Sequence, residues 1–153
     1  MMVIYNEQNL ENIMDIKKLN SVFTKGQLPE TFGITITAIE KDSVSGTLTV
    51  DHRHLRPGNI MNGGVSLVLI ETMGSVSSCL FLDIEKQNAF GIQVSANHLG
   101  VAREGDVLTA KSKAVHIGKT TQVWDVTIMN QKDKLISSGR ITMLVTEQAL
   151  TKV

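Results

Sequence analysis

Within the fourteen residues NGGVSLVLIETMGS (62–75), a glycine pair is followed by one carboxylate, Glu71, and one turn later by the hydroxyl of Ser75, in a stretch with no other charge. Glycines at the start of a helix let a ligand oxygen approach backbone N–H groups, and the helix terminus adds partial positive charge. Gly63 and Gly64 therefore predict a seat for a carbonyl oxygen that gathers negative charge as its carbon is attacked. Glu71 supplies the other half of such chemistry, either by attacking that carbon or by activating a water. Ser75, one turn further on, shares its face and would hold the water or orient the carboxylate. Glu71 lies seven residues beyond Gly64, about 10 Å along a helix axis at ~1.5 Å per residue. One carbonyl cannot easily touch both in the same chain. Two copies of the helix, antiparallel across a two-fold axis, would bring Glu71 of one beside Gly63 of the other.

The elements that must position these groups are legible in the pattern. Ile13, Ile16, Leu19, Val22 and Phe23 recur at helical spacing and predict a short amphipathic helix. TKGQLPET breaks it with Gly26 and Pro29. GITITAIE and SVSGTLTV alternate and are β-branched, which predicts a hairpin, and DHRHLRPGN reads as a loop. From 63 to about 81 apolar residues cover nearly every face, the mark of a buried helix. Four strand patterns follow: AFGIQVSANHLGVA, DVLTAKSKAVHI, TTQVWDVTIMN and KLISSGRITMLVT, joined by short connections that favour antiparallel neighbours. An antiparallel sheet wrapped round one long apolar helix would satisfy every face of that helix, so the fold class is α+β. Residues 1–12 read as an extension and 13–153 as a single domain.

Composition excludes several classes. The 153 residues suit one domain with a sizeable core, and net charge is zero, so there is no basic footprint for nucleic acid. The single cysteine, Cys79, lies among apolar neighbours and reads as a packed thiol, with no disulfide, in a reducing compartment. The first residues carry acids where a signal peptide needs a basic flank. No window approaches the ~20 apolar residues that span a bilayer, so a cytoplasmic protein without membrane partners is expected. No HxxxH, CxxC or acidic cluster supports a zinc or calcium site.

NGGVSLVLIETMGS resembles the central-helix motif of hotdog-fold acyl-CoA thioesterases, the PaaI-like branch near the 4-hydroxybenzoyl-CoA and enterobactin-proofreading enzymes. SANHLGVAREGD and HIGKTTQVW resemble its later strands, and the likeness runs from about residue 14 to 146. The resemblance implies a hotdog sheet round the helix and hydrolysis of an acyl-CoA thioester, with aryl and hydroxyaryl acids as candidate acyl groups. It implies no metal and no cofactor, since coenzyme A is part of the substrate. It also implies a homo-oligomer, a dimer or a dimer of dimers (a homotetramer), with active sites shared between subunits. Glu71 would be base or nucleophile, and the Gly63 N–H would polarise the carbonyl.

Two positions depart from the family pattern. Its histidine is Asn62 here, which keeps hydrogen bonding but cannot carry a proton. Its glutamine six residues upstream is Arg56, a fixed cation that would either pair with Glu71 or bind an acidic acyl group. GKTT (118–121) lacks the rest of a nucleotide P-loop. Similar enzymes use this region for the nucleotide end of coenzyme A, which points to Lys119 and Thr120, with Arg103 a further candidate. His98 is a candidate for lining the pantetheine channel. His116 reads as structural, and Trp124 and Phe90 as sheet core.

Two other functions fit the same sequence. A 3-hydroxyacyl dehydratase pairs a loop histidine with a helix acid, and HLRPGNIM beginning at His54 faintly resembles its loop, though His54 stands seventeen residues before Glu71. A non-catalytic acyl-CoA-binding domain would follow if Asn62 marks lost chemistry.

Overall fold

Asp15, in extended conformation, opens the first helix by accepting the Lys17 N–H on its side chain at 2.8 Å. The structure, a computed structural model, describes residues 15–147, so the expected extension and Ile13 lie outside the described residues. Helix α1 (Ile16–Phe23) buries Leu19. Its Asn20 side chain exchanges two 2.8 Å hydrogen bonds with the backbone of Ile36, accepting from N–H and donating to C=O. The break that follows holds a one-turn helix, α2 (Leu28–Thr31), with Pro29 in its first turn, where the missing N–H costs nothing.

Strands β1 (Thr35–Glu40) and β2 (Ser43–Thr49) form the predicted hairpin. The expected loop at 51–59 carries more structure than its sequence suggests. Asp51 caps a 3₁₀ turn at His52–His54, and β3 (Leu55–Arg56) pairs with β4 (Ile60–Met61) in a two-rung hairpin. Gly58 and Asn59 turn its tip at positive φ. Helix α3 (Gly63–Cys79) then precedes β5 (Gln87–His98), β6 (Val107–Ile117), β7 (Thr121–Asn130) and β8 (Leu135–Glu147). The six long strands form one antiparallel sheet in the order β1-β2-β6-β7-β8-β5.

Helix α3 packs across one face of this sheet. Its Val65, Leu69, Ile70, Met73 and Val76 are buried in one cluster with Leu48, Leu108, Trp124, Ile128 and Ile141. Each such side chain contributes about 1.5–3 kcal/mol. The approach is close because Gly74 faces Ile141 and Gly139 faces Ile70 at separations that leave no room for a Cβ on either glycine. A buried hydroxyl pair, Ser77 Oγ and Ser112 Oγ at 2.7 Å, joins the helix to β6, and Ser112 in turn accepts the Val44 N–H at 2.7 Å.

The expectation that the sheet would satisfy every face of α3 is corrected. Gly64, Leu67, Val68, Glu71, Ser75 and Cys79 stay half-buried or exposed along one stripe, at the i, i+3, i+4 spacing of a single helix face. One sheet covers one side of a rod, and nothing among the described residues covers the other. Strand β5 is similarly open, with only β8 beside it among the described residues. Phe90, read from sequence as core, is 55% exposed there, and Ile92 is 56% exposed. Trp124 is fully buried as expected. Burial pushes the Cys79 thiol up to about 11, so it is not a nucleophile at neutral pH. Among the described residues, no helix is long and apolar enough to cross a membrane.

Candidate active site

The first turn of α3 is built by Asn62. Its extended backbone ends β4, and its Oδ1 accepts the Gly64 N–H at 2.8 Å. The Asn62 carbonyl takes the Val65 N–H at 3.1 Å. These two bonds leave the Gly63 N–H without an acceptor among the described residues, at the positive end of a seventeen-residue helix. The Asn62 amide nitrogen remains able to donate. Asn62→Ala is expected to lower stability by about 1 kcal/mol, the usual worth of an N-cap. Calorimetry would show this as a melting point lower by roughly 2–4 °C, with helix content unchanged.

Gly63 opens onto a cavity of about 340 Å³ whose lining includes Arg56, Met61, Ser66, His98 and Val101. A Cβ on Gly63 would stand 2.6 Å from His98 Nε2, so only glycine lets the imidazole lie against the helix start. His98 Nδ1 is 3.4 Å from Ser137 Oγ, and that hydroxyl donates to the Asn97 carbonyl at 3.0 Å. Ser66 Oγ is fully buried and has no hydrogen-bond partner among the described residues. Leaving a buried hydroxyl unpaired costs about 1–3 kcal/mol, which a polar ligand atom in the cavity would offset. Sequence reasoning missed Ser66. The available signal was its position three residues after Gly63, on the same helix face.

Arg56 is exposed on β3 and donates to the Pro57 carbonyl at 3.2 Å. Among the described residues of one chain it forms no ion pair with Glu71. Arg103 reaches the same end of the molecule, with Nη1 at 3.4 Å from the Asn59 carbonyl. Five of the predicted residues, Arg56, Asn62, Gly63, His98 and Arg103, thus gather around one end of α3.

Glu71 and Ser75 form a second group. Ser75 Oγ donates to Glu71 Oε1 at 3.2 Å, as the spacing predicts. The carboxylate lies over Gly91, where a Cβ would stand 2.5 Å from Oε1 and 2.9 Å from Oε2. Strand β5 is irregular at this point, its register with β8 shifting between Gly91 and Gln93. Gly91 was also missed, because a glycine inside a strand pattern announces only a bulge or a close approach. What approaches here is the acid.

Lys119 and Thr120 are exposed in the β6–β7 turn, where the Thr120 carbonyl accepts the Val145 N–H at 2.8 Å. Val145 and Ser137, the partner of His98, are eight residues apart on β8, about 26 Å at ~3.3 Å per residue. The chain therefore does not bring Lys119 and Thr120 to the Gly63 cavity. His116 is exposed beside Gly118. His54 is buried, its Nδ1 accepting the Asp51 N–H at 2.9 Å and its ring tilted against Phe32. That bond makes His54 part of a cap. Among the described residues no cluster of His, Cys, Asp and Glu could hold a metal ion.

Residues 58–137 match the thioesterase superfamily. A 1,4-dihydroxy-2-naphthoyl-CoA hydrolase of Listeria monocytogenes is 36% identical over 118 residues, 77% of this chain and 94% of that protein. The crystal structure of a thioesterase from Pseudomonas aeruginosa superimposes with a TM-score of 0.83 at 34% identity, covering 87% of this chain and 94% of that one. A hypothetical thioesterase from Streptococcus pneumoniae, solved with coenzyme A, superimposes with a TM-score of 0.73 at 29% identity, covering 84% and 98% of the two chains.

Proposed function

The chain belongs to the thioesterase superfamily and is a thioester hydrolase of hotdog fold, and from that premise we propose that it hydrolyses an acyl-CoA to free acid and coenzyme A in sites shared by two copies. The observation that carries this reading is the placement of Glu71. Its carboxylate sits on the uncovered stripe of α3, against the uncovered edge strand β5, and away from the free N–H of Gly63. A second copy whose β5 runs antiparallel to the first would cover that edge, together with Phe90 and Ile92. The same operation lays the Glu71 half of one chain beside the Gly63 half of the other. It also carries Lys119 and Thr120 toward the cavity that holds His98 and Arg103, where they suit the phosphates of coenzyme A.

In such a site the thioester oxygen accepts the Gly63 N–H and an Asn62 amide proton. Each donor aimed at the growing oxyanion contributes roughly 2.7–4 kcal/mol to the transition state. Glu71 takes a proton from a water held with Ser75 as that water attacks the carbonyl carbon. In the alternative route Glu71 attacks first, and water resolves the mixed anhydride. Both routes end with cleavage of the C–S bond and need no metal. The name of the Listeria relative favours an aryl or hydroxyaryl acyl group, and coenzyme A in the Streptococcus structure favours a CoA ester. The dehydratase alternative has no support from His54, whose Nδ1 is committed to its cap.

The test is a thiol-release assay over benzoyl-, hydroxybenzoyl-, hexanoyl- and palmitoyl-CoA. Release with at least one ester, and a preference for the aromatic ones, is the expected result. Binding of CoA esters without any release would make the protein a binding domain, and hydration of an enoyl ester without release would make it a dehydratase.

A further inference from the structure

We propose that His98 supplies the proton to the departing sulfur, the role that asparagine at position 62 cannot perform. This rests on the reading above, in which the thioester oxygen sits at Gly63. The Ser137 hydroxyl has one hydrogen and gives it to the Asn97 carbonyl, so toward His98 it can only accept. That fixes Nδ1 of His98 as an N–H. Nε2 is then the nitrogen that gains and loses a proton, and Nε2 is the atom that lies against Gly63. Arg56 is the other basic side chain lining the cavity, and a guanidinium does not serve as a proton donor in catalysis of this kind. Glu71 lies over Gly91 in a separate group. His98 is thus the imidazole lining the cavity, with Nε2 toward the seat of the thioester.

The step balances simply. Attack on the carbonyl carbon leaves a tetrahedral centre, the C–S bond breaks with its electrons on sulfur, and the proton on Nε2 of the imidazolium passes to sulfur as the thiol forms. The proton that Glu71 took from water returns to Nε2 through solvent. One thioester and one water give one acid and one thiol.

Leaving-group dependence tests this. An alkyl thiolate leaves poorly without a proton, whereas 4-nitrothiophenolate leaves readily as the anion. His98→Gln keeps a polar side chain of similar length on an exposed strand position. It is expected to lower kcat/KM about 100-fold for benzoyl-CoA, within the ~10²–10⁴ range of acid–base catalysis, and less than about tenfold for S-(4-nitrophenyl) thiobenzoate. Equal losses on both esters would overturn the proposal and leave His98 a binding or structural residue. No loss on either would overturn it as well. A wild-type protein that releases thiol from neither ester removes the underlying site reading and this proposal with it, a result distinct from the other two.

Discussion

Replacing Glu71 by glutamine is expected to lower thiol release from acyl-CoA by about 10³-fold or more, with the fold intact. Glutamine keeps the length of the side chain and can still accept the Ser75 hydrogen bond on its amide oxygen, but it neither takes a proton from water nor attacks carbon. Glu71 makes no ion pair among the described residues and is only half-buried, so its charge is not part of the stabilising core. The melting point should therefore stay within a degree or two of wild type. Residual activity within tenfold of wild type would place the chemistry on another group. The same variant reports on sharing of the site. Gly63→Pro removes the Gly63 N–H at a helix position that accepts proline and should also be inactive, since its ring atoms displace His98. Mixing the two inactive variants under exchange would restore about a quarter of the wild-type activity, because half of random dimers are mixed and each holds one intact site. No recovery would confine each site to one chain.

Gly91→Ala is expected to cost about 100-fold in activity while leaving stability unchanged or slightly raised. The new methyl would occupy a position 2.5 Å from Glu71 Oε1. The carboxylate is the end of a flexible side chain, so it swings away and the strand stays in place. Gly91 has no positive φ, so alanine suits the backbone there and removes conformational freedom from the unfolded chain. Displacing a catalytic group by about 1 Å costs on the order of 10² in rate. A fall in kcat with an unchanged melting curve is the expected signature. Full activity would mean that the carboxylate works from a position other than the one seen over β5.

Most of the architecture was legible because its elements are long enough to show a period. The six long strands run for six residues or more, and α3 is mostly apolar through four turns. The β3–β4 hairpin was not legible, since strands of two residues carry no period at all. The core assignment of Phe90 failed for a different reason. Alternation tells which residues want burial, and it cannot tell whether the chain or a second copy provides it. Among the candidate residues, Gly63, Glu71 and Ser75 could be related from sequence because helix spacing ties them to one another, and Asn62 was singled out through the family motif. Ser66 and Gly91 could not, because their meaning lies in what faces them. A serine in an apolar helix is ordinary until its hydroxyl proves to be orphaned, and a strand glycine is ordinary until an acid proves to rest on it.

The close seating of α3 on the sheet, through Gly74 against Ile141 and Gly139 against Ile70, has a genetic consequence. A methyl added at either glycine would lift the rod from its bed and shift its glycine-rich start and the Glu71 turn at once. A library screened for lost turnover is thus expected to return lesions at these two packing glycines beside those at Gly63 and Glu71.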